Sequence, residues 1–482
     1  MAGGSGYNRS VSHSFWSVAL GAVRQKPGVL VIGLDGLPFT LARQLIAGGY
    51  APALARLAAE GRLQQMDSVV PTVSAVAWTS FLTGVQPGKH GLYGFVFRNP
   101  AGYDIEVCST RVIRRKLLPE LVSDAGRTAF SMNVPVTSPP RPVNGIMIGC
   151  FLSPDLEKAA WPAEEAAYLR SVGYRIDTDA ALARRSTAGM LEDVRRTTER
   201  RVTAALHYLA ARPWDYFHVH IMETDRLNHF LLGRALAGGG FAADFFDCCR
   251  YIDGQVARLL DAVAEDTPLL VVSDHGFEPI RQEAQLGRWL VERGWTVLGG
   301  GPVRSPLDFD PSRTRAYALI PGRIYVNLRG REPGGIVAPE EYEAVREAVT
   351  RDLLDLRDAA AGAPVIRRVL RREEFLWPAG RLGPCPDMPL RDRLFGDPVY
   401  ALAPDLVAEP CPGYDLKMGL AKQALFEKTE LEGMHTRDDA MLLVRGMAAP
   451  AGRASILDCA PMILGRLGIA AADMDGGAEG AA

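Results

Sequence analysis

The chain has 482 residues, of which 48% are apolar and 23% charged, and its formal net charge is −2. That composition supplies a large core and excludes a disordered, collagen-like or coiled-coil protein. The near-neutral charge lacks the basic footprint of a binder of duplex nucleic acid, and no apolar run approaches the ~18–20 residues that span a bilayer, so neither partner is expected.

The nearest apolar run, Ser14 to Val23, is short and holds two serines; it follows Arg9 and ends in small residues as a signal peptide would, and residues 1–27 are read instead as an unstructured or helical lead-in. Val29–Leu34 is a continuous apolar run, the mark of a strand buried on both faces, and it ends at Asp35-Gly36. Helical patterns follow at about 39–48 and 52–60. After Pro71 the chain reads as an extended lead into a helix, with Ser74 in its first turn and Gly84 just past its end. Residues 95–125 break the rhythm as an insertion. Candidate parallel strands recur at Ala129–Val134, Gly145–Gly149, Tyr216–Met222 and Leu269–Ser273, with long helical stretches near 188–212 and 242–265. A second insertion, about 300–400, carries a short strand at Arg323–Asn327 and a helix near 339–357. Apolar runs at Asp405–Val407 and Met441–Val444 then return to the sheet, a helix near 458–468 closes it, and 471–482 reads as a disordered tail. The alternation predicts one catalytic domain over 28–470: a doubly wound α/β fold, its sheet mostly parallel with helices on both faces. The seven cysteines form no CxxC pair and are odd in number, which suits a reducing compartment and suggests the cytoplasm.

In open parallel sheets, ligands bind past the carboxyl ends of the strands. Asp35, Asp225 and Asp274 all stand there, although an Asp in that position is most often a helix N-cap. Their neighbours make the difference. Asp225 and His229 are four residues apart, which places both on one face of a starting helix. Asp274 and His275 are adjacent, and His435 sits in a Gly-flanked loop. Three Asp and three His suit Zn²⁺ or a similar first-row cation. Ser74 is either a helix cap or a hydroxyl activated by the positive end of the helix.

Together the segments Asp35-Gly36, Pro71 to Gly91, Asp225-xxx-His229, Ser273-Asp274-His275-Gly276-Phe277 and Gly433-Met434-His435 resemble the alkaline phosphatase superfamily. Within it they resemble the type I phosphodiesterase/nucleotide pyrophosphatase family, in its broader set of predicted phosphohydrolases. The resemblance implies an alkaline-phosphatase-like fold with the insertions forming a cap. It implies one metal site made by Asp35, Ser74, Asp274 and His275, and a second made by Asp225, His229 and His435. The ions would be two Zn²⁺, with Mn²⁺ as the alternative. Ser74 takes the place of the nucleophile, so Thr72, Thr79 and Ser80 do not. The implied reaction cleaves a phosphodiester or pyrophosphate bond of a small phosphorylated substrate through a phosphoseryl intermediate. The alternative is a phosphomonoesterase or phosphomutase acting on a small metabolite, and a non-catalytic binding protein is a remote third. Ala77 stands where the nucleotide enzymes carry an Asn, so oxyanion stabilisation falls to backbone N–H groups near Ala75, to Asn133, or to an Arg from an insertion. A sulfatase is excluded, since Ser74-Ala-Val-Ala-Trp78 lacks the x-Pro-x-Arg context it needs. His218 and His220 are expected to tolerate replacement better than the ligands.

Overall fold

The computed structural model describes residues 24–99, 102–305, 307–376, 394–396 and 401–477. The Ser14–Val23 stretch lies outside them. A nine-stranded sheet runs in the order Ala454–Ser455, Arg62–Asp67, Ala440–Arg445, Leu269–Val272, Val29–Leu34, Tyr216–Ile221, Ala129–Met132, Gly145–Ile148 and Ala160–Trp161. The five strands from Leu269–Val272 to Gly145–Ile148 are mutually parallel. Their apolar runs lack alternation because both faces of the sheet are covered. Leu30, Ile32 and Leu34 pack toward helices Phe39–Ala47, Thr187–Ala211 and Ala242–Asp261, whereas Val29 and Val31 pack toward helices Ser74–Thr83 and Cys459–Arg466. Each such side chain, fully buried, contributes roughly 1.5–3 kcal/mol of hydrophobic stabilisation. Arg62–Asp67 escapes a search for apolar runs, since its polar side chains are mostly part-exposed and pair antiparallel with Ala440–Arg445.

Two expectations are corrected. Leu406–Pro410 does not return to the central sheet; it joins a separate antiparallel sheet in the order Ala316–Ile320, Arg323–Val326, Leu406–Pro410, Ile366–Arg371. An apolar run shows that a strand is buried, not which sheet buries it. Helix Tyr342–Leu354 lies against this second sheet and completes a core with Trp289, Ile324 and Leu406. The cap is therefore wider than the 300–400 insertion, reaching from the strand at Gln282–Gln285 to that at Phe426–Glu427. Of the tail expected over 471–482, residues 471–477 are among those described and 478–482 lie outside them. Asp475 is buried, accepts from the Gln86 amide at 2.8 Å and pairs with Lys89 at 2.5 Å. Among the described residues no helix is long and apolar enough to cross a membrane.

Candidate metal centre and nucleophile

Strand Val29–Leu34 delivers Asp35 to the carboxyl edge of the sheet, and Gly36 then turns with φ +61°. Only glycine fits here: a Cβ at Gly36 would come within 2.4 Å of the Phe277 ring. The next strand, Leu269–Val272, delivers Asp274 and His275 to the same edge, and the Gly36 amide donates to Asp274 Oδ1 at 3.0 Å. Helix Ser74–Thr83 starts opposite them. Its N-cap is Val73, so Ser74 does not serve as the cap. Instead the Ser74 hydroxyl donates to Asp35 Oδ1 at 3.2 Å and lies 3.1 Å from His275 Nε2. The other hydroxyls of the segment are committed elsewhere: Thr72 to the Val69 carbonyl, Thr79 to the Ala75 carbonyl and Ser80 to His90. His90 is buried in that contact and pushed down to about 3 by burial, a neutral structural imidazole.

Beside this cluster, the first two turns of helix Glu223–Leu236 present Asp225 and His229 on one face. Strand Gly433–Thr436 pairs antiparallel with Gly276–Pro279 and brings up His435. The three ligand atoms nearly touch: His229 Nε2 to Asp225 Oδ1 is 3.4 Å, His435 Nε2 to Asp225 Oδ1 is 3.3 Å, and the two Nε2 atoms are 3.1 Å apart. His229 donates from Nδ1 to the Gly433 carbonyl at 3.0 Å, and His275 donates from Nδ1 to the Gly276 carbonyl at 3.1 Å. Both therefore turn an unprotonated Nε2 into the site, the tautomer a metal ligand needs.

The donor set fits a pair of divalent cations. Ligands about 2.0 Å from a tetrahedral ion stand about 3.3 Å from one another, the spacing found among Asp225, His229 and His435. A second group, Asp35, Asp274 and His275, offers ligand atoms within 4.8 Å of one another, and His275 also approaches Asp225 and His435. Asp225 Oδ1 and Asp274 Oδ2 are buried with no hydrogen-bond donor among the described residues, a costly arrangement unless a cation meets them. Electrostatics point the same way. Burial, reinforced by Asp225, pushes Asp35 up to about 8, and burial with Asp35 nearby raises Asp274 well above the usual carboxylate range. Burial opposes ionisation of Asp225 too, but His229 and His435 outweigh it and hold that carboxyl low. Burial lowers His229 to about 4 and His275 well below its ordinary value, so these two imidazoles stay neutral. Without added positive charge, the cluster retains protons that a divalent ion would displace.

All six expected ligands and Ser74 thus converge. Asn133 does not serve the nucleophile: in the amide orientation that satisfies its neighbours it donates to the Ile176 carbonyl at 3.0 Å and accepts from Arg201 at 3.0 and 3.2 Å. His220 has a contact that its expected tolerance of replacement did not anticipate. Its Nε2 lies 2.9 Å from Asp35 Oδ2, which also accepts from Trp78 Nε1 at 2.8 Å. These two donors fix one carboxylate oxygen and leave Oδ1 to face Ser74. Trp78 stands four residues after Ser74 on a helix, a spacing that could have flagged it; alternation on a strand gave His220 a side but no partner. Arg226 was also missed. It pairs with Asp177 at 2.6 Å and lies 3.5 Å from Asp225 Oδ2, at the rim of the second cluster.

A sequence model described as type I phosphodiesterase/nucleotide pyrophosphatase matches residues 29–438. No protein of curated function matches the sequence. Among solved structures, the fold is similar to phosphonoacetate hydrolase from Sinorhizobium meliloti 1021 in complex with phosphonoformate, with a TM-score of 0.60 and 17% identity over 92% of this chain and 96% of that one. It is also similar to murine ectonucleotide pyrophosphatase/phosphodiesterase 5 in complex with AMP, with a TM-score of 0.55 and 14% identity over 94% of this chain and 97% of that one. At such identities these likenesses establish the alkaline-phosphatase-like fold.

Proposed function

The chain belongs to the type I phosphodiesterase/nucleotide pyrophosphatase family, a phosphohydrolase family, and we propose that it cleaves a phosphodiester or pyrophosphate bond of a small substrate through a phosphoseryl intermediate on Ser74. The observation that carries this reading is the Ser74 hydroxyl held between Asp35 and His275, with the Asp225, His229 and His435 cluster alongside. Two divalent ions, Zn²⁺ in the first instance, would be held by Asp35, Ser74, Asp274 and His275 and by Asp225, His229 and His435. When bound they supply Lewis-acid stabilisation of charge on the attacking and leaving oxygens.

The chain's own groups do the rest. Ser74 Oγ forms the bond to phosphorus as its proton passes, directly or through water, to the leaving group, which departs with the electron pair of the broken ester or anhydride P–O bond. Water then attacks the phosphoseryl ester, breaks its Oγ–P bond and returns a proton to Ser74. Trp78 and His220 keep Asp35 turned toward the hydroxyl throughout. With Ala77 in place of a side-chain donor and Asn133 engaged elsewhere, the N–H groups of Ser74 and Ala75 at the helix start would serve as oxyanion donors. Three carboxylates and two divalent cations leave one net positive charge, which suits the single charge of a diester. The test is kcat/KM for bis-p-nitrophenyl phosphate against p-nitrophenyl phosphate after zinc reconstitution. A diester preference is expected. A monoester preference of about tenfold, or ~1.4 kcal/mol, overturns it in favour of a phosphomonoesterase.

A further inference from the structure

Beside the metal ligands lies a cavity of about 660 Å³, lined on one side by Thr72, Val73, His229 and His435 and on the other by residues of the cap. Several cap charges along it are already matched. Lys417 pairs with Asp415 at 2.5 Å, and Glu409 pairs with Arg368 at 2.7 Å and with Arg367 at 4.0 Å.

Arg323 is different. It lines the same cavity, is only 6% exposed, and its side chain makes no hydrogen bond or ion pair among the described residues; its Nε is buried without a partner. Strand Arg323–Val326 fixes it from the cap, and Gly94 makes room from the core, since a Cβ there would stand 3.2 Å from Arg323 Nη1. Burial lowers its pKa to about 10, so the guanidinium is still charged at neutral pH. Arg437, two residues beyond His435, lines the cavity as well, and its Nε is likewise buried without a partner. A buried guanidinium with no counter-charge is destabilising by itself, and its planar fork is suited to grip a carboxylate or phosphate.

We propose that Arg323, assisted by Arg437, forms a second anion-binding subsite in the cap, and that the substrate carries a further anionic group, carboxylate or phosphate, beyond the scissile phosphate. The proposal rests on the phosphohydrolase reading for the scissile end alone. Under it the core ligands engage one phosphate, and the cap selects the molecule attached to that phosphate.

Calorimetry on the zinc-loaded full-length protein tests this without turnover. The probes are 3-phosphonopropionate, 4-phosphonobutyrate and propane-1,3-bisphosphonate, each compared with propylphosphonate or butylphosphonate of matching length. At least one doubly anionic probe should bind about tenfold more tightly than its matched alkylphosphonate. Arg323→Met should bring that ratio below about twofold, and Arg323→Lys should retain part of it. Because Arg323→Met removes an unpaired buried charge, its melting temperature should not fall. A wild-type ratio near one overturns the proposal whether or not the variants fold, and so does a ratio that survives Arg323→Met. If bis-p-nitrophenyl phosphate is hydrolysed but the second anion gains nothing, the subsite fails and the reaction stands. The reverse result leaves the subsite and removes the reaction.

Discussion

Two of the clusters of buried charge among the described residues treat their carboxylates in opposite ways. In the cap, Asp405 is fully buried with both oxygens met by fixed donors. Oδ1 accepts from Arg331 Nη1 at 2.9 Å, from Tyr342 at 2.5 Å and from Arg372, while Oδ2 accepts from Arg331 Nη2 at 2.7 Å and the Val326 amide at 2.6 Å. In the core, Asp225 Oδ1 and Asp274 Oδ2 meet no donor among the described residues and instead face imidazole nitrogens. The first arrangement is complete within the chain and serves the fold. The second would be completed by the cations proposed above, and carboxylates left without donors in this way are what a metal site requires.

The sharpest way to break this contrast is to cut one residue from each cluster. Ser74→Ala should lower kcat at least about a thousandfold while leaving the fold and most of the bound metal in place, because the nucleophile is lost but the six other ligands remain. Activity near wild type in Ser74→Ala, measured by p-nitrophenol release, would sink the assignment of the nucleophile. Asp405→Asn should do the reverse. Leaving Arg331 and Arg372 short of a counter-charge should cost about 3–5 kcal/mol in urea unfolding, while elemental analysis of the folded fraction still finds about two metal equivalents. Metal loss without loss of stability in Asp405→Asn would erase the distinction between the clusters.

How legible each cluster is in the sequence follows from its geometry. The proposed metal ligands lie at strand ends, in an adjacent pair and at a four-residue helical spacing, so local rules bring most of them within view. Asp405 draws its partners from residues 331, 342 and 372, on separate elements whose meeting no periodicity encodes. The same blindness assigned Leu406–Pro410 to the wrong sheet. Burial is written in the apolar run, but the choice between two sheets is a tertiary matter. Arg323 was visible as the first residue of a strand; its want of a partner became apparent only in the folded chain.

A smaller effect refines the picture within the core. His220→Ala removes one of the two donors that orient Asp35, so metal affinity should fall by about 10–100-fold, read by competition with a zinc chelator. His435→Ala should go further and bring metal content from about two equivalents to one. His218, whose Nδ1 faces Tyr216 at 2.9 Å instead of a ligand, is the control. If His218→Ala weakens metal binding as much as His220→Ala does, the orienting role of His220 is lost.

The smallest expected effect is in the pH dependence of stability, where the two clusters should have opposite signs. Asp405 is held below its ordinary range, with Arg331 and Arg372 outweighing the cost of burial. Its unfolded form takes up a proton first, so its contribution is present above about pH 3.8 and is lost as pH falls toward the folded value. Asp35, raised to about 8 by burial and by Asp225 in the metal-free protein, behaves inversely. Between an ordinary carboxylate value and about 8 the folded chain keeps a proton that the unfolded chain has released, so the metal-free protein should lose stability as pH rises through that window. Bound divalent ions replace that proton and should flatten the dependence. Melting curves from about pH 5 to about pH 8, with and without zinc, should therefore diverge by a few degrees at the alkaline end, with the metal-free form the less stable. Parallel curves would mean that the core carboxylates are no more in need of a cation than Asp405 is, and the contrast between the two clusters would fail at its electrostatic root.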